Sequence, residues 1–208
     1  LLLHSQDRAY TVDELHDWLV RGHGLHLNFT EVQRGRAAYL PHMLLGRNPP
    51  ALLAQWRQWP LQRQQACAEL LAGDIAMHSF YLTRDAVCTA AYGDREMVPF
   101  FFHEPINGDI MSRVFNTNRG KPFLLQHQHS GISLTVDPGR HSVEILRLID
   151  GRRSFGEIFE TIRQGWNRSG AAPSDETLFD SFAASYEVLN ALERLLVRHP
   201  QAGELPGA

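Results

Sequence analysis

Leu148-Ile149-Asp150-Gly151-Arg152-Arg153-Ser154-Phe155-Gly156-Glu157-Ile158 is the stretch that decides the fold of this chain. It reads as a corner between two helices. Gly151 can take a positive φ where one helix ends. Ser154 can cap the next, with Glu157 at its third position, so that each satisfies a backbone amide of the other. Arg152 and Arg153 occupy the corner itself. Working outward, His141 to about Asp150 carries Ile145, Leu148 and Ile149 at helical spacing, and Phe155, Ile158, Phe159 and Ile162 line the helix that follows. Residues Gly165 to Pro173 read as a loop. Ser174 or Asp175 then caps a long helix bearing Leu178, Phe182, Val188, Leu189, Leu192 and Leu195.

Upstream of these helices, Pro122 to His129 and Ile132 to Val136 are rich in strand formers and are separated by Ser130-Gly131, the pattern of a β-hairpin. Hairpin plus three helices is the inventory of a winged-helix unit, expected over residues 96–199. Before it, Met97 to Phe102 is an apolar run, Asn107-Gly108 a turn signal, Ile110 to Phe115 a short helix, and Tyr92 to Glu96 a polar turn. Residues 37–95 read as a helical connector with a short strand. Pro49-Pro50 starts a helix that Pro60 interrupts, with Leu52, Leu53 and Trp56 and then Ala66, Leu70 and Leu71 as its apolar face. Gly73 follows, and His78 to Thr83 alternates like a strand. Residues 1–36 hold one further helix and strand. Thr11-Val12-Asp13-Glu14 fits a capping box, Leu15, Trp18 and Leu19 share a face, Gly22 and Gly24 supply the stop, and Leu25 to Phe29 alternates. One helix and one strand cannot bury both faces alone. With Leu1 in place of an initiating Met, the chain is expected to be a fragment with a larger domain before it. Residues 200–208 read as a small, polar, frayed tail. The expected fold class is mixed α/β of the α+β kind, largely helical: a helical connector followed by a winged-helix-like unit with a β-hairpin.

Composition sets limits on function. The 208 residues suffice for a substantial core, and 43% hydrophobic with 21% charged residues is ordinary for a globular protein. A net charge of -3 gives no global attraction to nucleic acid or an anionic membrane. No apolar run approaches the ~20 residues that span a bilayer, and with reduced cytosolic thiols the default for so few cysteines a cytoplasmic location is expected. Cys67 and Cys88 do not make a disulfide framework.

Of the 11 histidines, His127 and His129 are two apart on a predicted strand, hence on one face, and offer two imidazoles to a metal, with His103, Glu104 or His141 as a third ligand. A polar strand face near a hairpin turn explains the same spacing, and no Cys-x-x-Cys or His-Glu-x-x-His accompanies it. Glu96, Glu104, Asp109 and Asp137 lie near turns, where carboxylates collect in any protein. The helix after Arg153 carries Glu157 and Glu160, which repel phosphates. A nucleic-acid footprint would have to use Arg147, Arg152, Arg153, Arg163 and Arg168, and nucleic acid is not the expected partner.

Three segments carry a family resemblance. Asp7-Arg8-Ala9-Tyr10-Thr11-Val12 with Glu14-Leu15, then a helix and Gly24-Leu25 before a strand, is similar to the end of the catalytic domain in bacterial class I S-adenosylmethionine-dependent methyltransferases that continue into C-terminal regulatory regions. Ala68 to Asp74 followed by His78-Ser79-Phe80-Tyr81, and Ile145 to Ser154, extend the likeness. The corner segment Leu148 to Ile158 also resembles the small peptide-binding modules of peptide-maturation systems such as the PQQ-biosynthesis chaperone, in which a leader peptide adds as a strand at the hairpin edge. The resemblance implies a regulatory or substrate-presenting region that packs in cis on a methyltransferase catalytic domain, with S-adenosylmethionine held by that domain. No catalytic or cofactor-binding residue of this chain is expected, since no strand here runs into a Gly-x-Gly loop. Partner-binding candidates are Arg152, Arg153, Gln126 and Gln128. The alternative is a free-standing winged-helix module that binds a peptide or protein.

Overall fold

The computed structural model describes residues 8–30, 35–45, 50–84, 90–102, 105–118, 121–126, 133–166 and 170–202. The fold is mixed α+β and largely helical, with two-stranded antiparallel sheets. The chain divides into two compact units, residues 1–88 and 89–208.

The first unit starts with α1 (Val12–Leu15), which widens into a π-helical segment, His16–Arg21. The capping box at Thr11 and Glu14 is present: the Glu14 amide donates to the Thr11 hydroxyl and the Thr11 amide to the Glu14 carboxylate. Strand β1 (His26–Thr30), a 3-10 turn (Gly35–Tyr39), α2 (Pro41–Leu45), α3 (Pro50–Trp56), α4 (Leu61–Ala72) and β2 (Ser79–Thr83) follow. β1 finds its partner in β2, with Asn28 opposite Tyr81. Val12, Leu15, Leu19, Phe29, Ala38 and Tyr39 form the core.

Two apolar faces differ from expectation. Trp18 is 51% exposed. The wider π turn brings His16 inward, where its Nε2 meets Gln65 Oε1 at 3.0 Å, and the Trp18 ring stacks outside on Tyr10. On α4, Leu70 and Leu71 are exposed while Gln65 and Ala68 are buried. That inner face is polar because it serves partners. Glu69 accepts from the Val12 amide (3.0 Å) and meets His78 Nε2 (3.0 Å), whose Nδ1 meets the Tyr39 hydroxyl (2.9 Å). Buried polar groups are tolerated when paired in this way.

The second unit contains β3 (Val98–Phe101), α5 (Gly108–Thr117), β4 (Phe123–Gln126), β5 (Ser133–Val136), α6 (Ser142–Leu148), α7 (Phe155–Gln164), α8 (Asp175–Ala191) and β6 (Leu195–Arg198). Hairpin and three helices come in the expected order. A two-residue turn at Ser130-Gly131 would set Gln126 against Thr135, but Gln126 pairs with Ser133. A slip of two residues keeps every side chain on its face. Asn107-Gly108 is not a free turn. Asn107 caps α5, its side chain accepting from the Ile110 amide (3.0 Å).

The long helix stops at Ala191, short of Leu195, which lies instead in β6 paired with β3. No glycine marks this stop. Glu193 takes the left-handed conformation (φ 52°), and the Arg194 and Glu193 amides donate to Leu189 and Asn190 carbonyls, closing a Schellman-type end. Tyr92, in the predicted polar turn, is an anchor. Its ring stacks on Tyr186 at 4.2 Å, and its hydroxyl donates to the Phe179 carbonyl (2.6 Å). Burial, then Tyr186 and Asp180, push its ionisation well above the usual phenol range. Phe155, Phe159 and Phe182, each fully buried, complete this cluster. Each such side chain contributes about 1.5–3 kcal/mol of burial.

A side chain added at Gly139 would collide with the Ser181 carbonyl, and one at Gly108 with the carbonyls of Leu146 and Ile149. Gly139→Ala is therefore expected to lower the stability of this unit by about 2 kcal/mol, read as a drop in the urea midpoint. Gly170→Ala, with open space around it but φ at 112°, tests backbone strain without collision and is expected to cost less.

Candidate binding surface

The β4–β5 hairpin has one packed and one open face. Leu125, Leu134 and Val136 are buried, and Phe123 sets its ring edge-on to Phe115 at 5.1 Å. Leu124 is 66% exposed, opposite Thr135, and Gln126 and Ser133 share its open face. Among the described residues no third strand joins this sheet. Arg194 reaches back to it from the end of α8, its Nη2 donating to the Gln126 carbonyl at 2.9 Å. Burial lowers the pKa of that guanidinium.

The corner between α6 and α7 is built by Asp150. Its Oδ1 accepts from the amides of Arg152 (2.9 Å) and Arg153 (3.0 Å), and its Oδ2 from Arg153 Nε (2.9 Å). Partial burial pushes the Asp150 pKa up. The two amides, Arg153 first, and the Arg153 side chain outweigh it and hold the carboxyl below its ordinary range. Gly151 sits at φ 75°, and its carbonyl accepts from Arg198 Nη2 at 3.0 Å. The second capping box is present at Ser154 and Glu157. Away from this corner, α6 and the C-terminal end of α7 flank an open cleft of about 190 Å³, lined by Glu144, Arg147, Leu148, Thr161, Ile162, Gly165 and Trp166. Ligand pockets commonly reach 300 Å³ or more, so this one suits a single side chain at most.

The arginines named from the sequence fare differently. The Arg153 guanidinium is drawn into the corner by Asp150, whereas Arg152 is exposed. Arg163 is held at Asp175 (2.6 Å) and the Pro173 carbonyl, and Arg147 lines the cleft. Arg95, unremarked in the sequence, bridges Glu160 and Asp175 and lies where a Cβ on Gly156 would be. Gln126 is exposed at the end of β4. Gln128, His127, His129, His103, Glu104, Arg168 and Cys88 lie outside the described residues. His141, one of the three alternatives for a third metal ligand, is buried, and its Nδ1 meets Glu144 Oε2 at 2.8 Å. Glu96 lies near Arg95, Asp109 in the first turn of α5, and Asp137 is exposed after β5. Among the described residues no three His, Cys, Asp or Glu side chains gather as a metal site. Cys67 is a half-buried free thiol. Among the described residues no helix is long and apolar enough to cross a membrane. Arg194 and the cleft went unseen in the sequence. The short apolar run Leu195-Leu196-Val197, bounded by Glu193-Arg194 and Arg198, was the available sign that a strand begins there.

No protein-family model matches this chain, and no curated protein matches it.

The depressed Asp150 pKa has a definite sign. Its contribution to stability is present above the ordinary carboxylate pKa and is lost as pH falls through the lower folded value. Asp150→Asn is expected to lower stability at neutral pH by about 1 kcal/mol, discounted for exposure. Paired urea titrations at pH 7 and pH 3 should show the gap between the two proteins closing in acid.

Proposed function

We propose that this chain is a non-catalytic binding module, the regulatory or substrate-presenting region of an S-adenosylmethionine-dependent methyltransferase. In this reading the second unit takes an extended polypeptide along its winged-helix-like hairpin, while the first packs in cis on the catalytic domain that holds the cofactor. The observation that carries the binding role is the β4–β5 hairpin: two strands, no third among the described residues, and Leu124 exposed on the open face. Strand addition uses backbone groups for affinity and alternate side chains for selection. The internal pairing of Arg153 and Arg163 with carboxylates supports a protein partner over a phosphate backbone. The link to methylation rests on the sequence resemblance alone. A free-standing peptide-binding module fits the same hairpin.

The binding role is tested with peptides selected from a random displayed library on the 208-residue chain. Leu124→Lys is expected to weaken them at least tenfold, and binding should slow hydrogen exchange of the 123–126 amides. Peptides that bind Leu124→Lys equally well, with no protection at β4, overturn it. For the methyltransferase link, the gene upstream of Leu1 is expected to continue in frame into a strand and Gly-rich loop. A start codon immediately before Leu1 overturns that link and leaves the free-standing module.

A further inference from the structure

Among the described residues, strand β2 is the open side of the first unit. β1 packs on the π-helical segment and the 3-10 turn as well as on β2, whereas among the described residues β1 is the element on which β2 packs extensively. The pairing between them runs without a bulge. β2 reads Ser79-Phe80-Tyr81-Leu82-Thr83, with no charge and no proline, and Tyr81 and Leu82 are 63% and 43% exposed. Natural proteins blunt open sheet edges with lysine, proline, bulges or a covering element. None of the first three is present here, and a two-stranded ribbon is marginal by itself.

The strand also has an unusual symmetry. Read from either end it runs hydroxyl, large apolar, tyrosine, large apolar, hydroxyl. Antiparallel pairing about Tyr81 would set Ser79 against the partner's Thr83, Phe80 against the partner's Leu82, and Tyr81 against the partner's Tyr81. The Ser79–Thr83 and Tyr81–Tyr81 pairings are of favourable cross-strand types, and Phe80 with Leu82 sets apolar against apolar. Phe80 already packs edge-on to Phe29 (5.9 Å), so the Phe80 and Leu82 pairs would extend the packed face, with the two tyrosines together on the other. We propose that β2 joins β2 of a second copy of this chain, making a four-stranded sheet in the order β1–β2–β2–β1 across a two-fold axis. Such an interface is isologous and closes on itself. It is independent of the hairpin and of the methyltransferase reading.

Sedimentation equilibrium of the 208-residue chain at micromolar concentrations is expected to show a dimer. Tyr81→Lys, which sets two ammonium groups face to face on the axis, should weaken the dimer at least tenfold, and Tyr81→Phe should keep it. An unchanged urea midpoint for dilute Tyr81→Lys shows that the unit still folds. In a Cys67→Ser, Cys88→Ser background, Tyr81→Cys is expected to cross-link rapidly on mild oxidation, because facing residues of an antiparallel pair lie within disulfide range. Leu70→Cys, on a side chain 82% exposed, is the control and should cross-link slowly. A monomer at every concentration overturns the proposal. So does a dimer that survives Tyr81→Lys and cross-links no faster at 81 than at 70.

Discussion

Helix α6 is held at both ends by backbone that leaves no room for a side chain. At its start, Gly139 lies against the Ser181 carbonyl of α8, the His141 amide donates to the Ser181 hydroxyl, and Ser142 meets Ser185 at 2.8 Å with both side chains fully buried. At its end, the carbonyls of Leu146 and Ile149 close on Gly108 at the start of α5. Protein interiors are close-packed, so contacts of this kind fix position to a fraction of an ångström. From α6 the other positions follow. Asp150 sets the turn into α7, α7 carries Phe155 and Phe159 into the aromatic cluster, and that cluster locates α8. The hairpin and its open face are carried on this frame.

The first unit solves a different problem. Its inner helix α4 presents Gln65, Ala68 and Glu69 inward and sends leucines out. With the apolar contribution thus reduced, hydrogen bonds specify the arrangement. The chain from Tyr39 through His78 and Glu69 to the Val12 amide joins four separate segments. The neutral tautomer of His78 that donates from Nε2 and accepts at Nδ1 satisfies every member. A network of this kind adds little to net stability but discriminates strongly against other packings, because removing one member strands its neighbours.

These two strategies explain how far the sequence could be read. Features set by local chemistry were legible. Both capping boxes, the left-handed glycine at 151, and the hairpin need only residues within a few positions of one another. Features set by distant partners were not. Leu70 and Leu71 look like core until His16 and His78 claim the inner face of α4. Leu195 continues a helical pattern until β3 offers it a strand, and the stop falls on a glutamate instead of a glycine. Tyr92 sits among turn residues and shows its role only beside Tyr186. The candidate surface divides in the same way. Arg152 and Arg153 look equivalent in sequence, yet a carboxylate three residues before Arg153 takes it out of play.

The second unit begins and ends on one small sheet, with Val98 of β3 opposite Arg198 of β6. The two partners stand about a hundred residues apart in the chain, and joining them requires closing nearly the whole unit into a loop. A ribosome making this protein therefore releases α5 to α8 before their closing strand exists. Until β6 emerges from the exit tunnel, β3 has no partner and the buried Leu195 no place to go. Folding of this unit accordingly waits until its closing strand has been made. A stalled or prematurely ended message would yield not a shorter working version but a chain with its aromatic core open to chaperones and proteases.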